Sequence, residues 1–154
     1  MITKEEIHLA QKKWGDAIIK IGKLKNSKTQ YEQKTDELLN ELYGFDYGEV
    51  LFKPTKASEK QFRLDLNAAR SYFIGGNQDF NEDLGFALNP WTNVRFENEG
   101  YNIREKFALV MGNYFFTSLD GNETKVEYTF GYFKDKVGSL KINLHHSSLP
   151  YKNE

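Results

Sequence analysis

The sequence predicts an α+β fold, and three observations carry that prediction. Apolar residues recur at helical spacing near the start of the chain, then at alternating spacing from Val94 onward. Aromatic residues make up 15% of the chain, twelve Phe and nine Tyr, which suits sheet faces and an apolar hollow better than a helical bundle. Helical segments come first and a run of strands follows, the order in which helices segregate to one face of an antiparallel sheet.

The elements follow in chain order. Thr3 with Glu6 reads as a capping box that opens a helix. Ile7, Ala10, Trp14, Ile18 and Ile21 give that helix one apolar face, and Gly22 ends it. A polar stretch over 26–33 precedes a second helix around Leu38, Leu39 and Leu42, stopped by Gly44. Val50-Leu51-Phe52 reads as a short strand closed by Pro54. Residues 64–73 fit a short helix halted by Gly75-Gly76, and 77–83 a loop. Four long strands then span 94–101, 107–117, 125–133 and 140–148, with turns at Asp120-Gly121-Asn122 and 135–139. The strand over 107–117 is apolar on both sides, which predicts helices over one face and a second subunit over the other.

Composition removes several classes of function. A formal net charge of −1 argues against a nucleic-acid binder, which needs a basic excess. With no cysteine there is no disulfide, no thiolate nucleophile and no cysteine-ligated zinc. No stretch approaches the roughly 20 apolar residues of a membrane span. The N-terminus lacks the pattern of a signal peptide, so the expected location is the cytoplasm. At 154 residues the chain is most simply one domain, 1–154.

The polar run His145-His146-Ser147-Ser148 closes the last strand and holds two of the three histidines. The third, His8, sits among charges at the start of the first helix and reads as a surface residue. Adjacent residues on a strand face opposite ways, so His145 and His146 cannot comfortably share a zinc ion. A hard cation held by scattered carboxylates stays open. No Gly-x-Ser-x-Gly elbow, phosphate loop or paired-carboxylate motif is present. Strict alternation puts His146 and Ser148 on the face of Leu140, Ile142 and Leu144, with His145 and Ser147 opposite. A bulge near the strand end would exchange the two pairs. Lys53-Pro54-Thr55-Lys56, Ser71-Tyr72-Phe73 and Pro90-Trp91-Thr92 also place polar groups beside turns or apolar residues.

Taken in order, several segments resemble a known family. They are Trp14-Gly15-Asp16, the run Val50 to Thr55, the run Ser71 to Gly76, Pro90-Trp91-Thr92, the runs Met111 to Phe116 and Val126 to Tyr132, and His145 to Tyr151. Together they resemble the iota-class carbonic anhydrases, a branch of the NTF2-like superfamily related to the association domain of calcium/calmodulin-dependent kinase. The resemblance spans nearly the whole chain, and His-His-Ser-Ser is its most specific part. It implies an NTF2-like cone, a curved antiparallel sheet wrapped around the long N-terminal helix. It also implies a homodimer through the outer face of the sheet, and reversible hydration of CO2 to bicarbonate without a metal or other cofactor. The family's pocket residues match Thr55, Tyr72, His145 and Ser147 here, the last two taken over His146 and Ser148.

The chemistry is coherent. Without a zinc-bound water, a histidine is the side chain suited to take a proton near neutral pH, which makes His145 the expected general base or proton shuttle. Hydroxyls of Thr55, Tyr72 and Ser147 would hydrogen-bond the charge that grows on the CO2 oxygens. Two rivals share the fold: a non-catalytic NTF2-like module for dimerisation or small-ligand binding, and an isomerase or dehydratase acting on a larger substrate.

Overall fold

A computed structural model describes residues 1–153. Helix α1 spans Lys4–Lys23, and its capping box forms as predicted: the Glu6 amide donates to Thr3 Oγ1 (3.1 Å), and the Thr3 amide donates to the Glu6 carboxylate (2.8 Å). Ile7, Trp14, Ile18 and Ile21 are buried on its sheet-facing side. Each such side chain contributes about 1.5–3 kcal/mol through removal from water.

Helix α2 runs Lys28–Leu42, longer than the sequence suggests. Its first two turns are polar because they lie on the surface, and only Thr35, Leu38, Leu39 and Leu42 are buried. Glu32 and Asp36 of these turns pair with Arg70 of helix α3, Leu66–Ile74, at 2.9 and 2.7 Å. Helix α3 is capped by Asp65 and stopped by Gly75, whose φ of +64° lies in the region a side chain resists.

The strands are β1 Leu51–Lys53, β2 Asn93–Ile103, β3 Phe107–Thr117, β4 Glu123–Lys134 and β5 Leu140–Ser148, in sheet order β1-β5-β4-β3-β2. The last four form the predicted antiparallel meander. Strand β1 departs from the all-antiparallel expectation: it pairs in parallel with β5, setting Phe52 opposite His145. The sheet is therefore mixed, and the parallel pair brings the segment after β1 beside the end of β5.

Helices cover one face of this sheet. Ala108, Val110, Tyr114 and Phe116 of β3 and Val126, Tyr128, Phe130 and Tyr132 of β4 are buried under α1. The other face, expected to be covered as well, is open in the single chain: Phe107, Leu109 and Met111 are 60%, 48% and 55% exposed. Phe115 alone is covered there, by the Arg95 guanidinium 3.8 Å above its ring.

Between β1 and α3 the chain is held by charge. Arg63, wholly buried, makes two 2.8 Å bonds to the Asp83 carboxylate and donates to the carbonyls of Lys60 and Ala68. Ser71 donates to the same carboxylate at 2.6 Å. Glu82 accepts the amides of Ser58, Glu59 and Lys60, and those bonds, led by Lys60 and Ser58, hold its carboxyl down at about 2. No helix among the described residues is long and apolar enough to cross a membrane.

Candidate active site

One bulge decides which half of His145-His146-Ser147-Ser148 faces inward. Gly131 pairs with Leu144 but Tyr132 pairs with Ile142, so Asn143 is an extra residue in β5. The slip puts Ile142, His145 and Ser147 on the same buried face. His146 is exposed, and Ser148 turns outward to donate to the Glu127 carboxylate at 2.8 Å. Strict alternation would have given the opposite result. The bulge fits because Gly131 carries no side chain: a Cβ there would stand 2.8 Å from Asn143 Oδ1 and 2.9 Å from Leu144 Cβ.

Thr55 arrives from the parallel strand β1. Past the turn at Pro54, its Oγ1 lies 2.7 Å from Ser147 Oγ. Lys53 Nζ donates to the Ser147 carbonyl at 3.1 Å, which ties the ends of β1 and β5 together. Tyr72 comes from the last turns of α3, and its hydroxyl accepts the Lys56 amide at 3.3 Å. Burial pushes the Tyr72 phenol well above its ordinary range, against smaller opposing effects of the Lys56 amide and the Thr55 hydroxyl.

His145 is packed on all sides. Its ring stacks on Phe52 at 4.7 Å and lies 4.3 Å from the Phe130 ring, with the Trp14 indole edge-on at 5.7 Å. Both ring nitrogens are bonded, Nδ1 to the Tyr43 hydroxyl (2.8 Å) and Nε2 to the Tyr114 hydroxyl (3.1 Å). Tyr114 lies 2.5 Å from Ser147 Oγ, and Trp14 Nε1 donates to the Tyr43 oxygen at 3.0 Å. Ser147 Oγ also lies 3.2 Å from the Glu127 carbonyl. A continuous hydrogen-bonded chain thus runs from Trp14 through Tyr43, His145, Tyr114 and Ser147 to Thr55. Desolvation, with a small contribution from His146, drives the His145 pKa down to about 3, so its imidazole is neutral at pH 7. Burial raises the Tyr43 and Tyr114 phenols well above their usual value.

These groups surround a hollow of about 10 Å³, the size that holds roughly one water molecule. Its walls include Trp14, Phe52 and Phe73, and among the described residues no charged side chain lines it. The stacked rings of Tyr72 and Phe86, 5.6 Å apart, belong both to this hollow and to an outer basin of about 620 Å³ bordered by Lys56, Asp83 and Trp91. The pair forms the partition between the two. Among the described residues no group of three or more His, Asp or Glu is placed to hold a metal ion.

The structure therefore brings Thr55, Tyr72, His145 and Ser147 to one hollow from distant stretches of the chain. His8 lies elsewhere, exposed and 2.6 Å from the Tyr101 hydroxyl. Trp91 is buried, its Nε1 bonded to the Phe86 carbonyl. Sequence reasoning assigned no polar role to Trp14, Tyr43 or Tyr114. Trp14 reads as part of an apolar face and Tyr114 as a strand residue, and only their long-range partners reveal their hydrogen bonds.

Comparisons with known proteins show what the whole chain is similar to. The sequence model of the family described as metal-independent carbonic anhydrase matches residues 5–149. A metal-independent carbonic anhydrase of Nostoc sp. (strain PCC 7120 / SAG 25.82 / UTEX 2576) is 40% identical over 154 residues, 98% of this chain and 75% of the relative. The crystal structure of a cyanobacterial iota-carbonic anhydrase complexed with bicarbonate superposes with a TM-score of 0.94 at 38% identity, covering 99% of this chain and 94% of that one. A member of the NTF2-like family from Streptomyces avermitilis matches at TM-score 0.59 and 13% identity over 96% of each chain, a likeness of fold alone.

Proposed function

The chain belongs to the metal-independent carbonic anhydrases, the iota class, and we propose that its reversible hydration of CO2 to bicarbonate runs in the hollow between Thr55, Tyr72 and Ser147. One observation carries this assignment. Hydroxyls from the segment after β1, from α3 and from β5 converge with an imidazole around one uncharged space. In hydration, a water oxygen bonds to the carbon of CO2, one C=O electron pair moves onto oxygen, and the water gives up a proton. The hydroxyls of Thr55, Tyr72 and Ser147 meet the charge that develops on the CO2 oxygens. His145 shares the wall of the hollow, its Nε2 bonded to the Tyr114 hydroxyl that also meets Ser147.

Magnitudes support a modest enzyme. One well-aimed donor to a developing oxyanion is worth about 3–4 kcal/mol. Two or three, imperfectly additive, approach the ~8 kcal/mol that separates a slow enzyme from the uncatalysed reaction. The reaction requires no metal in this reading, consistent with the family's description and with the lack of a three-carboxylate or histidine cluster among the described residues. The hollow has room for about one water molecule, and the Tyr72–Phe86 pair is the wall it shares with the larger outer basin from which CO2 would arrive.

Stopped-flow CO2 hydration by metal-stripped protein tests the assignment. Activity should persist after chelation, and Tyr72→Phe should lower it by about tenfold or more while unfolding midpoints hold. Full activity in that variant would remove Tyr72 from the site. No activity with or without added metal would return the chain to the non-catalytic reading.

The exposed Phe107, Leu109 and Met111 support a homodimer that buries the outer face of the sheet. Light scattering reads the mass directly: a pair supports this arrangement, and a single chain removes it.

A further inference from the structure

The hydrogen-bonded chain behind the hollow has a direction, and its innermost member sets it. An indole N–H only donates. Trp14 Nε1 gives its hydrogen to the Tyr43 oxygen, and among the described residues the Tyr43 hydroxyl has one other partner, His145 Nδ1. Tyr43 is 2% exposed, so its own hydrogen has no water to turn to and must point at Nδ1. That nitrogen is then an acceptor, and in a neutral imidazole the remaining hydrogen is on Nε2. Nε2–H donates to Tyr114, leaving the Tyr114 hydroxyl to donate to Ser147. Ser147 passes the same sense on, toward Thr55 or the Glu127 carbonyl.

We infer that Trp14 and Tyr43 are positioning residues of the reaction, which lock His145 with its hydrogen on Nε2 and so aim the whole line of hydroxyls, donors first, at the hollow. The inference rests on the site assigned above. It gives His145 a role different from the general base that the sequence suggests: the nitrogen nearer the hollow is already occupied. The reverse direction would place hydrogen on Nδ1 and strand the Tyr43 hydroxyl hydrogen in a fully packed site. The line is also closed at its inner end, because an indole nitrogen cannot relay a proton. The proton released in hydration therefore leaves through the mouth of the hollow, and the low basicity of the buried imidazole accords with that route.

Long-range ¹⁵N–¹H spectra of uniformly labelled protein at pH 7 read which ring nitrogen carries hydrogen, with His145→Gln identifying the signals among three histidines. The expected pattern is a protonated Nε2 and a bare Nδ1 for His145; the opposite pattern overturns the inference outright. Trp14→Phe removes the indole donor and keeps an aromatic ring against Tyr114. Phe is smaller than the indole, so the variant also leaves room beside the Tyr43 oxygen into which the Tyr43 hydrogen can turn while that oxygen accepts from Nδ1–H. That tautomer should then appear, with kcat down by about tenfold and KM within about twofold. A tautomer unchanged by Trp14→Phe, or a changed one with full kcat, would remove Trp14 from the role. If Trp14→Phe fails to fold, Tyr43→Phe, which takes the donor from Nδ1 directly, supplies the same two readouts. The expected spectrum in a protein that never hydrates CO2 would sink the functional reading and leave the tautomer standing. The opposite spectrum in an active protein would do the reverse.

Discussion

The buried polar groups around Arg63 are charged and fixed in direction, whereas those around His145 are neutral and most can either give or take a hydrogen. Arg63 has donors alone and Asp83 acceptors alone, so their two 2.8 Å bonds admit one arrangement. In the His145 chain four of the six members are hydroxyls or an imidazole between two partners, and a donor-only indole at one end chooses between two senses. The clamp holds backbone: it ties the segment carrying Thr55 to α3, which carries Tyr72. The chain presents hydrogens. Buried charge thus does the anchoring, at a distance from a reacting space kept free of charge, where an ion would compete with the developing bicarbonate for the same hydroxyls.

The largest effect should separate the two clusters by what each variant loses. Arg63→Met leaves Asp83 buried without its cation, and removing one partner of such a pair costs ~3–5 kcal/mol. Denaturant titration should show that loss. Ser147→Ala should do the converse, lowering CO2 hydration by about 100-fold with a much smaller shift in midpoint. If Arg63→Met keeps its stability, or if Ser147→Ala unfolds the protein instead of silencing it, the division of labour fails.

Acid should act on the neutral cluster more gradually. The folded His145 pKa is about 3, below its ordinary 6.5. Between those values the unfolded chain holds a proton on this residue that the folded chain refuses. Its contribution to stability is therefore complete above pH 6.5 and declines as pH falls toward 3, by about 1.4 kcal/mol per unit. Unfolding free energies at pH 7.5, 6 and 5 should fall more steeply for the native sequence than for His145→Gln. Equal slopes would mean that the imidazole takes its proton in place. The same depression predicts a CO2-hydration profile with no inflection near 6.5 from this histidine.

Much of the fold was legible in the sequence because it is local. A capping box, an apolar helix face and four runs of alternating residues placed α1 and the meander to within a few residues. The parallel pairing of β1 with β5 was not legible, since nothing in three residues names a partner some ninety positions away. Arg63 escaped notice for the same reason: a lone arginine in a loop reads as surface until Asp83, twenty residues on, is seen to receive it. Of the candidate site, Thr55, Tyr72, His145 and Ser147 were nameable only through family resemblance. Alternation alone pointed to His146 and Ser148, because a bulge leaves no mark in the residues that form it. Trp14 and Tyr43 were visible as hydrophobic bulk, and their hydrogens were not.

Gly131 gives this last point a sharper form. The strand it faces carries an imidazole and a hydroxyl in duplicate, one set for each side, and the choice between them rests on space for a single methyl group. Were that space filled, the Asn143 amide would have to turn aside and Leu144 to draw back, both of them at the bulge that sets which half of β5 faces inward. An ordinarily mild exchange of glycine for alanine, on a neighbouring strand and touching no substrate, would thus press on the residues that hold His145, rather than His146, toward the reaction.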